Sequence, residues 1–129
     1  MKSLLGIVRR SDVIFRSDGH FDLKARVVRA LNITSGDVVD ILSSVGGEYY
    51  LYVAHRSTTD ERGRYEAQCF PSNRSGALHF RGSSVRLCSA MLEACNATGR
   101  VALACGDVII DDRGRHLLPI ITRLNLAKK

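Results

Sequence analysis

Two similar helix endings constrain the fold of this chain more than any other feature of the sequence. Asn32-Ile33-Thr34-Ser35-Gly36 follows one amphipathic stretch and Asn96-Ala97-Thr98-Gly99 follows another, so the two asparagines lie 64 positions apart. Asn and Gly end helices because they readily adopt the left-handed backbone conformation. In each case strand, turn, strand and helix precede the ending, and an apolar strand follows it. The pattern predicts an internal duplication, with unit one at about 12–55 and unit two at about 65–121.

Unit one combines short apolar runs with one change of period. Short apolar runs predict two strands, at 12–16 and 20–23, joined by a Ser-Asp-Gly turn at 17–19. Residues 24–31 predict a short helix with Asp22 as its N-cap. The apolar face of this helix consists of Val27, Val28 and Leu31. Arg26 and Arg29 form its basic face. Residues 38–42 and 48–55 then predict a hairpin that turns at Gly46-Gly47.

Unit two follows an exposed charged loop at 56–64, which we interpret as the joint between the halves. Strands are predicted at 65–70, 77–80 and 101–105, and a helix is predicted to begin near Ser83 or Ser84. The apolar stripe of that helix is Val85, Cys88, Met91, Leu92 and Cys95. A last hairpin turns at 112–114, and Pro119 predicts an edge or bulged strand after it. A further strand is predicted at 3–8, and a flexible tail at 124–129.

The length of 129 residues suits one domain with its own core, because chains of this size bury enough apolar surface without disulfides. The short strands and two short helices predict an α+β fold that is mainly β. No apolar run approaches the ~20 residues that span a bilayer, and the N-terminus lacks the apolar region of a secretory signal. We therefore expect a cytoplasmic protein without a membrane partner.

The charge balance favours an anionic partner. Lys and Arg number 19 against 13 Asp and Glu, for a formal net charge of +6, and arginines make up 15 of the 19. The planar guanidinium group binds phosphate and carboxylate through two hydrogen bonds at once, which lysine does not. A solvated basic surface without a specific partner is the alternative interpretation.

Motifs for catalysis and cofactor binding are absent from the sequence. There is no GxSxG, GxxxxGK[ST] or GxGxxG, and the four histidines are scattered. The four cysteines contain no CxxC pair, which favours core thiols over a zinc site: Cys69, Cys88, Cys95 and Cys105. We predict no enzyme, cofactor or metal site, with an unrecognised small-molecule enzyme as a third hypothesis.

One stretch of unit one, GHFDLKARVVRALNITSGDVVDI, resembles the swapped-hairpin DNA-binding domains of the AbrB and MazE type. The shared pattern is a glycine turn, an alternating strand, a short helix, a Gly-Asp turn and a second alternating strand. The matching positions are Gly19, Phe21, Leu23, Val27, Leu31, Ile33, Gly36, Asp37, Val39 and Ile41. The chain departs from the family pattern at Lys24, where proline is usual, and at Asn32, where a small residue is usual. A duplicated unit in one chain is similar to the related double-psi barrels.

The resemblance implies a small cradle-loop or swapped-hairpin β-barrel with two short helices. Because two protomers complete the barrel in AbrB-like domains, a monomer with both units or a homodimer is expected. By position in the matched unit, the residues implied to contact DNA phosphates are Arg16, Lys24, Arg26 and Arg29, with Arg9 and Arg10 adjacent. The leading hypothesis is a DNA-binding protein with a role in transcription regulation. The alternative is a protein-interaction or adaptor domain that binds no nucleic acid.

Overall fold

The computed structural model describes residues 11–56, 63, 65–72 and 78–122. Short strands predominate, and two short helices complete the fold, so the predicted α+β class with mainly β structure is confirmed. The elements are β1 (Val13–Arg16), β2 (His20–Lys24), α1 (Ala25–Leu31), β3 (Val38–Ser43), β4 (Tyr49–His55), β5 (Phe70–Pro71), β6 (His79–Ser83), α2 (Val85–Ala94), β7 (Arg100–Cys105), β8 (Ile109–Ile110) and β9 (His116–Ile121). The predicted strand at 3–8, the tail at 124–129 and most of the joint at 56–64 lie outside the described residues.

The strands form one curled antiparallel sheet in the order β3-β4-β9-β7-β1-β2-β6-β5, with β8 paired to β9. The segment before β5 also contacts the other end of this order. Cys69 N donates to Asp37 O at 2.8 Å, Gly36 N donates to Cys69 O at 2.8 Å, and Val39 N donates to Ala67 O at 3.2 Å. These bonds connect the two ends of the sheet, and the result is a barrel-like sheet.

The core lies inside the curl and is formed by alternate residues of the strands. Phe15 and Phe21 pack with their ring centroids 6.2 Å apart, and Met91 of α2 is fully buried. Three of the four cysteines are buried and Cys95 is partly buried, as predicted for core thiols. Burial of these side chains supplies the main driving force for folding, because apolar surface is removed from water.

The helices pack at opposite ends of the β2–β6 pair. Helix α1 follows β2 and contacts β6 and β9, whereas α2 follows β6 and contacts β1, β2 and β7. The predicted helix endings are confirmed, since Asn32 and Asn96 have φ angles of 52° and 53°. The predicted start of α2 is also confirmed, because the Ser84 hydroxyl caps it and accepts from Leu87 N at 3.1 Å.

The three predicted hairpins are confirmed at β1–β2, β3–β4 and β8–β9. Gly19, Gly47 and Gly114 have φ angles of 94°, 85° and 78° at these turns, a conformation that costs glycine no steric penalty. Neither of the described helices is long and apolar enough to cross a membrane.

The prediction that Asp22 caps α1 is wrong. Strand β2 continues to Lys24, so the Asp22 carboxylate lies in the sheet opposite Arg81 and is too early in the chain to accept from the first turn. Lys24 occupies the N-cap position and makes no side-chain cap hydrogen bond. Pairing of β2 with β6, which is remote in sequence, therefore decides where this helix begins.

The prediction that Pro119 marks an edge strand is wrong, whereas its alternative, a bulge, agrees with the irregular pairing here, where residues 106–108 lie opposite residues 118–119. Strand β9 is paired on one side by β4 and on the other by β7 and then β8. Pro119 lies where the neighbour changes from β7 to β8, so its missing N–H interrupts no ladder bond, while its carbonyl accepts from Gly106 N at 2.8 Å.

One member of the predicted apolar stripe of α2 is not buried, because Val85 is 62% exposed.

Candidate nucleic-acid interface

Most of the polar side chains on the outer surface of strands β7, β1, β2 and β6 are basic residues. Successive side chains of a strand point to opposite faces, and Val13, Phe15, Phe21 and Leu23 point into the core. The residues between them therefore point outward. We call this surface the basic face, and its members are Arg16, His20, Lys24, His79, Arg81 and Arg100.

Asp22 is the single acidic residue in these four strands, and its carboxylate lies at the centre of the basic face. It is 4% exposed and forms ion pairs with Arg16 and with Arg81 Nε at 3.1 Å, and His79 Nε2 lies 3.4 Å away. A buried carboxylate requires such partners, because burying an unpaired charge costs several kcal/mol, of order 5. One anion thus holds two arginines in place, and the four Lys and Arg side chains leave the face with an excess of positive charge.

The edge of the basic face next to β7 brings two arginines together. Arg16 and Arg100 are register partners of β1 and β7, and Arg100 is exposed. At the other end of β2, Lys24 Nζ donates to Ser11 Oγ at 3.0 Å. Arg100 is thus an exposed cation and Lys24 a half-exposed one, and neither takes part in the Asp22 cluster.

The two arginines of α1 are both exposed, and Arg26 also connects elements of the fold. Arg26 Nη1 lies 3.3 Å from Asp12 Oδ2, and Arg26 Nη2 donates to Gly106 O at 3.1 Å. The same Asp12 oxygen accepts from Cys105 N at 2.8 Å, so Arg26 connects α1 to the end of β7. Arg29 is exposed in the last turn of α1.

Of the six predicted contact residues, the structure brings Arg16 and Lys24 onto the basic face, while Arg26 and Arg29 lie on α1. Arg9 and Arg10 lie outside the described residues. Reasoning from the sequence did not select Arg81, Arg100, His20 or His79. The available signal was the alternation of basic and apolar residues in HFRGS and RVALAC, but only strand pairing shows that these residues face the same way as Arg16.

A cleft of about 370 Å³ opens where the basic face meets β5. Its apolar walls include Tyr65 and Phe70, and its polar lining includes His20 and Arg81. The Tyr65 ring packs against His55 with centroids 5.2 Å apart. The volume falls in the range of about 300–1,000 Å³ that is usual for small-ligand sites.

The outer surface of β3, β4 and β9 differs in character, because apart from Asp40 its side chains are mainly apolar or aromatic. Leu42, Tyr50 and Pro119 are consecutive register partners across these three strands. Ile109 and Ile110 of the adjoining β8 are 45% and 64% exposed. The Arg115 guanidinium lies over the ring of Tyr52, with Arg115 Cζ 5.4 Å from the ring centroid.

Three of the cysteines have little nucleophilic character. Burial and the nearby Asp37 carboxylate raise the pKa of Cys69 to about 12, and burial raises the pKa of Cys88 and of Cys95 above the ordinary value. The thiolate is the reactive form, so these thiols are poor nucleophiles at neutral pH. Within the described part of the chain, no three His, Cys, Asp or Glu side chains gather closely enough to hold a metal ion.

Comparison of this chain with protein-family models, with curated proteins and with solved structures finds no match. The chemistry of the basic face and of the cleft is therefore the basis for assigning a function.

Proposed function

We propose that this protein binds DNA through the basic face and acts in transcription regulation. The observation that supports this most directly is the composition of strands β1, β2, β6 and β7, whose outward positions carry four Lys or Arg and two His side chains around one buried carboxylate. Phosphate groups are the natural ligands of such a surface, because arginine donates two parallel hydrogen bonds to one phosphate. Release of condensed counterions from DNA adds a large favourable term.

We further propose that the chain is an internally duplicated barrel of the cradle-loop or swapped-hairpin type, as the resemblance of Gly19–Ile41 implies. The pattern of strand pairing supports this. Strand β1 pairs with β2 of its own unit and with β7 of the other, and residues 67–71 pair with β6 of their own unit and with the β3 end of the other. Exchanging the two units leaves the order of strands unchanged.

Two further correspondences support the duplication. Ile33 N donates to Val28 O at 3.0 Å, and Ala97 N donates to Leu92 O at 2.9 Å, so equivalent bonds end both helices at an offset of 64. In addition, the second residue of each helix is an arginine that pairs with a carboxylate preceding the first strand of its unit. These pairs are Arg26 with Asp12 and Arg86 with Glu66.

The duplication places the basic face across both units, since β1 and β2 belong to the first and β6 and β7 to the second. The second unit therefore contributes Arg81 and Arg100, although its helix has few basic residues. A surface that spans the junction of two related units suits a duplex, whose phosphates form two parallel rows.

The test is anisotropy of a labelled duplex of about 20 base pairs, titrated with protein between about 50 and 200 mM salt. Wild type should bind at low salt, and log K should fall linearly with log salt by about 0.9 per phosphate contact. The double variant Lys24→Ala with Arg100→Ala should lower that slope by up to about 1.8, because two contacts are removed. These positions avoid the Asp22 cluster, so the fold should be retained, which circular dichroism would verify.

The matched control is Arg113→Ala, which removes an exposed arginine at the β8–β9 turn, away from the basic face. Its binding and salt slope should equal those of wild type. Absence of binding at low salt, or an equal slope for the double variant and wild type, would exclude this function.

A second candidate function, protein interaction, is favoured by the apolar surface at Leu42, Tyr50 and Pro119. Exposed contiguous apolar surface is typical of protein interfaces. Tyr50→Glu should abolish capture of a protein partner under this interpretation while leaving duplex binding intact. Loss of duplex binding in Tyr50→Glu would argue against two separate surfaces.

A further inference from the structure

The cleft beside the basic face combines an aromatic wall with a cation at its rim. Tyr65 is 45% exposed, so a planar ligand can reach its ring. The contact with His55, at a centroid distance of 5.2 Å, helps to hold the ring in place, and Tyr65 lines the cleft. Phe70, buried in the sheet, extends the apolar wall.

The cation at the rim is held in a defined position. Arg81 Nε lies 3.1 Å from the buried Asp22 carboxylate, and the Arg81 side chain is 37% exposed. Arg81 also lines the cleft, so its guanidinium can meet an anion that enters there. His20 of β2 and Ser83 of β6 line the same opening and add polar groups to it.

We propose that this cleft binds a nucleotide, with the base against Tyr65 and the phosphate at Arg81. This combination fits the lining because an aromatic wall binds the π-face of any base and a guanidinium binds phosphate through two hydrogen bonds. The ligand is either a free mononucleotide or the terminal nucleotide of a nucleic-acid strand. Only the second source rests on the proposed function.

The first experiment titrates 15N-labelled protein with AMP, with adenosine and with inorganic phosphate. AMP should shift the amide signals of Gly82, Ser83 and His20 and should bind more tightly than either of its parts. Tyr65→Ala should weaken AMP binding by about tenfold, since one base–aromatic stack contributes roughly that factor. Tyr65→Phe should retain binding because it keeps the ring.

Two variants separate the base site from the phosphate site and from general effects. Arg81→Lys keeps the charge beside Asp22 but loses the planar fork, so it should weaken AMP binding and leave adenosine binding unchanged. Tyr50→Ala removes a half-buried tyrosine from the opposite surface and should bind AMP as wild type does. The proposal would be overturned if AMP did not shift the amide signals of the cleft residues, or if Tyr65→Ala and wild type bound AMP with equal affinity.

The second experiment identifies the source of the nucleotide by comparing a blunt duplex with one that carries a single-stranded overhang. Tighter binding of the overhang that disappears in Tyr65→Ala assigns the cleft to strand ends. AMP binding with equal affinity for both duplexes assigns it to a free mononucleotide. Salt-dependent duplex binding without AMP binding or overhang preference would contradict nucleotide binding in the cleft and support DNA binding by the basic face. AMP binding without duplex binding would support the cleft proposal and contradict the proposed function.

Discussion

Gly82 lies where the ring of the core residue Phe21 packs closely against the backbone of the sheet. A Cβ at this position would lie 2.5 Å from Phe21 Cζ and 3.2 Å from Gln68 O. Neither atom can move easily, because Phe21 is fully buried and the Gln68 oxygen belongs to the backbone. The absence of a side chain at Gly82 is therefore a packing requirement at the centre of β6.

We expect Gly82→Ala to lower the free energy of unfolding by about 1–3 kcal/mol, the usual cost of overpacking a core. Urea denaturation followed by circular dichroism measures this. The control is Gly46→Ala, where a Cβ would meet only Ser44 Oγ at 3.8 Å and the change should stay within about 0.5 kcal/mol. Equal stability of the two variants would contradict the packing explanation.

Glu66 connects the start of α2 to the segment that closes the sheet. Arg86 Nη2 lies 2.7 Å from Glu66 Oε1, and the Ser84 hydroxyl donates to the other oxygen. The Arg86 hydrogen bond first, and then the Ser84 hydrogen bond, hold the pKa of Glu66 at about 2, below its ordinary value of 4.5. Protonation of Glu66 therefore favours the unfolded chain.

The stabilisation by Glu66 should be complete above pH 4.5 and should be lost as the pH falls towards 2, the folded pKa. Glu66→Gln should consequently have a lower Tm than wild type at neutral pH, with a difference that shrinks over that range. Thermal melts across pH measure it, and Glu93→Gln, at an exposed position of α2, controls for loss of one negative charge. A difference that stays constant down to pH 2 would show that Glu66 does not act through its ionisation.

At the scale of elements, Arg56 at the end of β4 joins α1 to β3. Its Nη2 donates to Leu31 O at 2.8 Å and its Nη1 lies 2.7 Å from Asp37 Oδ2, which is fully buried. Asp37 in turn accepts from Thr34 N at 2.9 Å. The guanidinium therefore binds a carbonyl oxygen at the negative end of the α1 dipole together with the aspartate of the Gly-Asp turn.

Arg56→Ala should reduce the free energy of unfolding by about 1.5–3 kcal/mol, because a buried carboxylate loses a charged hydrogen-bond donor. The Arg56 side chain is 52% exposed, so the loss should be smaller than for a fully buried pair. Urea titration measures the effect. Arg113→Ala, which removes an exposed arginine from a turn, should change the stability by less than about 0.5 kcal/mol, and the same small change for Arg56→Ala would contradict this role.

At the scale of the whole molecule, the closing bonds between residues 67–69 and the β3 end connect the sheet within one chain. The paired ends come from distant parts of the same sequence, so closure requires no strand from a second copy. Folding that depends on association makes the Tm rise with protein concentration, whereas folding within one chain does not.

We therefore expect the Tm of this protein to be constant over about a hundredfold range of protein concentration. Differential scanning fluorimetry and calorimetry together cover that range. A Tm that rises steadily with concentration would show that a second copy contributes to the stability of the barrel-like sheet.

The amino-acid sequence by itself determined the local features of this protein. Val27, Val28 and Leu31 lie on the buried side of α1, and Asn32 and Asn96 are left-handed beyond the two helices, because spacing and backbone preference act within a few residues. The hairpin turns follow for the same reason, since each needs only adjacent glycine, serine or aspartate residues.

The tertiary structure alone decided which side chains share a surface. Arg81 and Arg100 join Arg16 because β2 pairs with β6 and β1 pairs with β7, and these strands are remote in sequence. The same pairings keep Asp22 in a strand, and pairing on both sides makes β9 an interior strand of the sheet. Register between distant strands depends on packing of the whole core, so no local pattern of residues could specify the basic face.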